Sequence, residues 1–245
     1  MPLTAMRALM SLSCAFMAAP ALASTTGGAP LIPEPMVFDL VRPLAAPKGE
    51  LEANTLALFP LAAPGEQIDW APEIEYAFAD GHAAELELPF ENGRLTGVKL
   101  GLQGTFGTLA GKRVVHGWQY LGVLDRDNGK LASSLLYIVG ARYSAHWSSL
   151  TMVGINRPGR PRDLTLPRDT AMLINHSLFH EFNGHTTAGL ELNLRTSSQQ
   201  QSWLLMPQLH QKLNAHYTLQ LGAGLQKPAS QKSHPALSVR LVKEF

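Results

Sequence analysis

Only one of the 245 residues is a cysteine, Cys14, so disulfides cannot brace the fold. The formal net charge is +1, which leaves no basic field for nucleic acid, and none is expected as a partner. Beyond the first 23 residues no apolar run reaches the ~18 residues that a transmembrane helix requires. No stretch carries a three-turn apolar stripe, so amphipathic helices are not expected either. No Gly-x-Ser-x-Gly elbow, P-loop or dinucleotide fingerprint occurs. Neither a cofactor nor a metal is expected.

What the chain does have begins with an export address. Arg7 is the only charge in residues 1–23, and the apolar run LMSLSCAFMAAPALA closes on Ala21-Leu22-Ala23. A charged start, an apolar middle and a small-x-small exit define a secretory signal, here cut after Ala23. Ser11, Ser13 and Pro20 break the run and make it short for a membrane anchor. The mature chain is then residues 24–245, with no cysteine. Removing Arg7 takes the 20 basic residues to 19, against 19 acidic ones.

Residues 73–90, EIEYAFADGHAAELELPF, alternate. Glu73, Glu75, Glu85 and Glu87 stand against a stripe of Ile74, Tyr76, Phe78, Leu86, Leu88 and Phe90. Strict alternation means a strand with two unlike faces. The break at Asp80-Gly81-His82 makes the stretch a hairpin, and its spacing sets Glu75 roughly opposite Glu87. The pattern recurs in RLTGVKLGLQGTF (94–106), TAGLELNLR (187–195) and HYTLQLGAGL (216–225), and in ALSVRLVKEF at the C-terminus. Twelve strands are expected, over 51–59, 73–79, 83–90, 94–106, 113–124, 131–143, 146–155, 170–180, 187–195, 201–211, 216–225 and 235–245.

Their length suits a tilted strand crossing a bilayer, and their number is even, as single-chain bacterial barrels require. Connections after even strands are short, for example Ser144-Ala145. Those after odd strands include the long 61–72, 156–169 and 226–234. A short link at 91–93 breaks this phase. The expectation is all-β: a transmembrane antiparallel up-and-down β-barrel of about twelve strands over 51–245, in a Gram-negative outer membrane. A soluble β-sandwich is the alternative. The Pro- and Gly-rich segment 24–50 is expected to be a periplasmic tail, or else a plug folded into the lumen, with MVFDLV (36–41) as one brief extended or helical piece.

With the aliphatic face on lipid, the inward side carries Glu73, Glu75, Glu85, Glu87 and Lys99, with Arg142, Glu191, Arg195 and Arg240 elsewhere on the wall. These are the candidate lumen residues, either a charged constriction that selects permeants or a salt-bridge network that fills the lumen. Phe245, a terminal aromatic closing an alternating strand, resembles the signal read by the barrel-assembly machinery. Other expected partners are outer-membrane lipid, lipopolysaccharide and a small-molecule permeant. The histidines of NHSLFHEFNGH (175–185) do not make a metal site: His176 and His180 share a strand face but lie ~13 Å apart. His146-Trp147-Ser148 has the His-x-Ser spacing of outer-membrane lipid hydrolases, without an evident orienting acid.

The segment DWAPEIEYAFADGHAAELELPFENGRLTGVKLGLQG (69–104) resembles the family of outer-membrane transporters labelled meta-pathway phenol-degradation-like proteins. That resemblance implies an exported barrel that moves small, hydrophobic or aromatic molecules, and it transfers no catalytic residue. The functional expectation is a passive pore or transporter. A lipid-modifying hydrolase and a structural barrel with a closed lumen are the alternatives.

Overall fold

The computed structural model describes residues 28–61, 68–159 and 170–245. The expected export signal, with Arg7, Cys14 and the expected cut after Ala23, lies outside them. Among the described residues no helix is long and apolar enough to cross a membrane.

Fourteen strands among the described residues form one antiparallel sheet: β1 (Leu51–Pro60), β2 (Asp69–Ala79), β3 (His82–Glu87), β4 (Phe90–Glu91), β5 (Arg94–Leu95), β6 (Gly97–Leu109), β7 (Val114–Asp125), β8 (Leu131–Arg142), β9 (Trp147–Arg157), β10 (Ala171–Glu181), β11 (Thr186–Thr196), β12 (Gln201–Lys212), β13 (Tyr217–Lys227) and β14 (His234–Glu244). Strand β1 pairs with both β2 and β14, so twelve strands close into a ring and β4–β5 stand outside it as a small hairpin. Closure is the physical requirement here. Where no water can reach, every strand edge must find a partner.

The two faces sort as the alternation requires. Ile74 (55% exposed), Tyr76, Phe78, Leu86 and Leu100 (58%) point outward, while Glu73, Glu75, Glu85 and Lys99 are buried inside. On β14, Leu237, Val239 and Leu241 face out, and Ala236, Ser238, Arg240 and Val242 face in. So many exposed large apolar side chains around a closed ring are stable only against acyl chains. Leu190 sits mid-strand on this belt, between Leu178 of β10 and Pro207 of β12. Leu190→Arg is expected to destabilise the barrel in lipid by roughly 2–4 kcal/mol. A urea titration in lipid vesicles checks this, and an unchanged midpoint would mean that this face does not meet hydrocarbon.

Two expectations need correction. The β2–β3 hairpin turns on Asp80-Gly81 alone, with Gly81 at φ 69°, and a bulge lies between Ala77 and Ala79. Glu75 therefore faces Glu85, and Glu73 faces Glu87. The short link at 91–93 is no exception to the loop phase. It is the tip of the β4–β5 hairpin, and the whole connection from β3 to β6 spans 88–96 and pairs back onto Asp69 and Trp70. The short turns at 80–81, 110–113, 143–146, 182–185 and 213–216 thus share one end of the barrel, and the longer connections, among them 88–96 and 228–233, share the other with the four-residue link at 197–200.

Candidate functional site: a filled lumen

Residues 32–46 run inside the ring and 28–31 and 47–50 lie at its mouth, the arrangement given above as the alternative to a periplasmic tail. The segment enters at the short-turn end, where Arg142 donates to the Leu31 carbonyl. It climbs to a tip at Val37-Phe38 and returns to the same end. There Gly49 donates to the Ala77 carbonyl at 2.8 Å and Gly81 to that of Ala46 at 2.8 Å. Residues 36–38 are bends, neither strand nor helix. Met36, Leu40 and Val41 are almost wholly buried.

The lumen has two sectors, and the segment matches both. On the β7–β10 side, Ile32, Leu40, Val41 and Leu44 join Val115, Leu136, Ile138, Leu150, Met152 and Phe179 in one apolar cluster. The wall is cut away to receive them. A Cβ placed on Gly101 would come within 2.6 Å of Val41, and one on Gly117 within 2.7 Å of Leu44. Such contacts require a shift of wall or segment. Side-chain amides replace the backbone partners that the segment lacks. Val41 donates to Gln119 Oε1 at 3.0 Å while Gln119 Nε2 donates to the Asp39 carbonyl at 2.9 Å. Gln103 Nε2 likewise donates to the Arg42 carbonyl at 2.6 Å. In a site without water, unmet backbone groups would cost heavily, so these amides are what allow irregular chain to lie there.

The other sector, β14-β1-β2-β3-β6, holds the charges. Arg240 Nη2 lies 2.9 Å from Glu73 and 3.3 Å from Glu75, and Nη1 lies 3.6 Å from Glu34. Its Nε donates to Asn54 Oδ1 at 3.0 Å. Arg42 pairs with Glu52, and also with Glu50 at 2.9 Å and Glu75 at 3.6 Å. Lys99 pairs with Asp39 and Glu87, and with Glu85 at 3.0 Å. At the tip, Glu191 accepts from the amides of Met36 (2.8 Å), Val37 (3.0 Å) and Phe38 (2.6 Å), and from Asn193 at 2.7 Å. Three successive amides converging on one carboxylate fix the bend of the tip. Glu34 belongs to the inserted segment rather than to a spanning strand. Burial pushes its carboxyl up to about 8, Glu52 adds to the rise, and Arg240 and Arg42 oppose it.

Of the sequence candidates, the structure gathers Glu73, Glu75, Glu85, Glu87, Lys99 and Arg240, and places Glu191 apart at the tip. Arg142 lies at the short-turn end on Glu181 (2.6 Å), and the exposed Arg195 donates to Asn156 Oδ1 at 2.7 Å, so neither offsets the glutamates. Glu34, Asp39, Arg42, Glu52 and Asn54 escaped sequence reasoning. Glu52 and Asn54 carry the alternation signal on β1. The other three sit in a segment without period. His146 and Ser148 do not meet as a dyad. Ser148 points into the lumen with its hydroxyl unpaired, whereas His146 sits in a turn with Nδ1 on the Glu181 carbonyl. His176 bonds Thr151 on the outer face, at 2.9 Å. Phe245 is exposed, its ring under Lys243 Nζ at 4.1 Å.

Above the tip, at the long-loop end, a vestibule of about 660 Å³ opens. Val37, Phe38, Leu58, Leu173, Trp203 and Leu204 form its apolar lining, and Asn175, Asn193, Arg195 and Lys227 supply polar groups.

A closed ring of twelve strands with an outward aliphatic belt and a charged interior is the architecture of an outer-membrane β-barrel. The chain belongs to the HAEPLYID-like family, whose model matches residues 31–244. Read as one-letter residue codes, that family name coincides with Ile32–Asp39 at Glu34, Pro35 and Asp39. The matched region thus takes in the inserted segment as well as the ring. Among solved structures, the chain is similar to the outer membrane channel COG4313 from Pseudomonas putida F1, with 12% identity, a TM-score of 0.65, and 82% of this chain and 97% of that one covered. It is also similar to the KdgM porin in complex with disordered oligogalacturonate, with 10% identity, a TM-score of 0.63, and 79% and 99% covered. At these identities the likeness is one of fold. No curated protein matches the sequence.

Proposed function

We propose that the chain is a passive outer-membrane channel for small amphipathic molecules, held shut by its own residues 28–50. The observation that carries this reading is the vestibule: a chamber of mixed apolar and polar lining whose floor is the Val37-Phe38 tip of the inserted segment rather than a wall strand. Chambers of that size and mixed lining take up small organic molecules. The resemblance of residues 69–104 to meta-pathway phenol-degradation-like transporters favours an aromatic or hydrophobic permeant. The similar solved structures are channels and porins by name, which favours transport over chemistry. The competing reading is a structural barrel with a permanently filled lumen, and the many ties along the segment favour it.

Outside the signal the chain has no cysteine, so a reversible lock can be built. Val41→Cys with Gly101→Cys places the two side chains close enough to bridge. In planar bilayers the oxidised double variant is expected to be silent. Reduction should restore the intermittent openings of the unmodified chain, and a variant lacking residues 28–48 should conduct steadily. Silence in all forms sinks the pore reading, and conduction in the oxidised form sinks the segment as its gate.

A further inference from the structure

The buried charges inside the barrel do not balance. Among the described residues, Glu34, Asp39, Glu52, Glu73, Glu75, Glu85 and Glu87 converge on only Arg42, Lys99 and Arg240. Uncompensated charge in a dry interior is among the costliest arrangements a fold can hold. The imbalance is unevenly spread. Around Glu34, Glu52 and Glu75 stand two arginines, Arg42 and Arg240. Around Asp39, Glu73, Glu85 and Glu87 stands Lys99, with Arg240 shared through Glu73.

This second group also holds the carboxyl with both oxygens unmet, that of Glu85, where the first leaves only Glu75 Oε2 without a hydrogen bond. Each of its four residues offers a carboxylate oxygen, and these all lie within 4.8 Å of one another. Glu85 is 3% exposed, and neither of its oxygens accepts a hydrogen bond. Lys99 Nζ lies 3.0 Å from Oε1 as an ion pair without hydrogen-bond geometry, and Oε2 meets no donor. A buried carboxylate left in this state and aimed into three others asks for a cation that accepts several oxygens at once. Lys99, with one charge and contacts to Asp39 and Glu87 already, does not meet that need.

We propose that Asp39, Glu73, Glu85 and Glu87 form a binding site for a divalent, oxygen-preferring cation, calcium in the first instance, which ties the inserted segment to strands β2 and β3. Calcium suits the donor set: hard oxygen ligands, several carboxylates, and irregular geometry that magnesium tolerates poorly. Lys99 competes for the same oxygens and weakens the site. The ion bridges Asp39, on the segment, to three glutamates on the wall, so it acts as a latch. The site stands whether or not the barrel conducts.

The test is calcium binding to the detergent-solubilised full chain near pH 7.5, measured by calorimetry after EDTA treatment and dialysis. One CaCl2 equivalent per chain is expected, with an unfolding midpoint that rises on calcium addition and is insensitive to the same concentration of MgCl2. Glu85→Gln should weaken binding at least tenfold, and Lys99→Met should tighten it at least tenfold. Should Glu85→Gln fail to fold, the Lys99→Met arm decides alone, because only direct competition at this site predicts tighter binding. The proposal is overturned if the unmodified chain takes up no calcium at millimolar concentration while acid alone raises the midpoint, since protons then supply the missing charge. Equal calcium uptake by the unmodified chain and Glu85→Gln overturns it too, as the ion would then sit elsewhere. Conductance plays no part in these readouts, so their failure leaves the channel reading standing.

Discussion

Arg240→Met is expected to weaken the barrel by roughly 3–5 kcal/mol, the usual cost of removing one partner from a buried ion network. The guanidinium holds Glu73 and Glu75 on the wall and Glu34 and the Pro35 carbonyl on the inserted segment. Methionine keeps much of the volume, so the loss is electrostatic rather than steric. Glu34 and Glu73 would lose their ion pair with Arg240, and Glu52 and Glu75 would keep Arg42, which Glu50 shares. The deficit has a sign in pH. The docked state holds the Glu34 proton more tightly than the free chain does, so Glu34 contributes stability below the ordinary value near 4.5 and loses it as pH rises through about 8. Arg240→Met is therefore expected to lie closer to the unmodified chain at pH 5 than at pH 8, because a protonated carboxyl no longer needs the arginine. Denaturant titrations of both chains at the two pH values check this. A pH-independent difference would show that Arg240 acts by packing.

The second large effect is expected at the tip. Glu191→Ala removes the acceptor of three successive amides, Met36, Val37 and Phe38. Each buried donor left unmade costs about 1–3 kcal/mol, which is enough to expel the tip while leaving the ring intact. Strand β11 keeps its ladder to β10 and β12, since those bonds are made by backbone. Chymotrypsin is expected to cut after Phe38 in Glu191→Ala and to spare the unmodified chain, and channel openings should lengthen. Glu191→Gln retains one acceptor and should fall between the two. Protection of Phe38 in both variants would mean that the apolar contacts of Leu40, Val41 and Leu44 hold the segment without the tip.

The ring was legible because its signal is physical and repeats. Alternation at a period of two placed Ile74, Leu100 and Val239 outside, and Glu73 and Arg240 inside. The even strand number and the loop phase followed from the same closure requirement. The Glu75–Glu85 pairing was not legible, because a bulge shifts register without leaving a residue that announces it. The inserted segment was the larger gap. PLIPEPMVFDLVRPLAAP has no period to read, since its backbone is satisfied by Gln103, Gln119, Thr105 and Glu191, residues far away in sequence. The inward glycines Gly101 and Gly117 were the available hint. Small residues facing a lumen leave space that something else must fill.

The path of residues 28–50 bears on the order of assembly. The segment goes in and comes out by one mouth, so it never threads through the hoop, and the hoop need not be open to admit it. The strands can zip shut first, β1 to β14, and the finger can be pushed home last, from the side where the short turns lie. Withdrawal is equally free of entanglement. It breaks side-chain ties and, at the mouth, the backbone bonds of Ala46 and Gly49, and it leaves each strand-to-strand ladder in place, so it requires no unfolding of the ring.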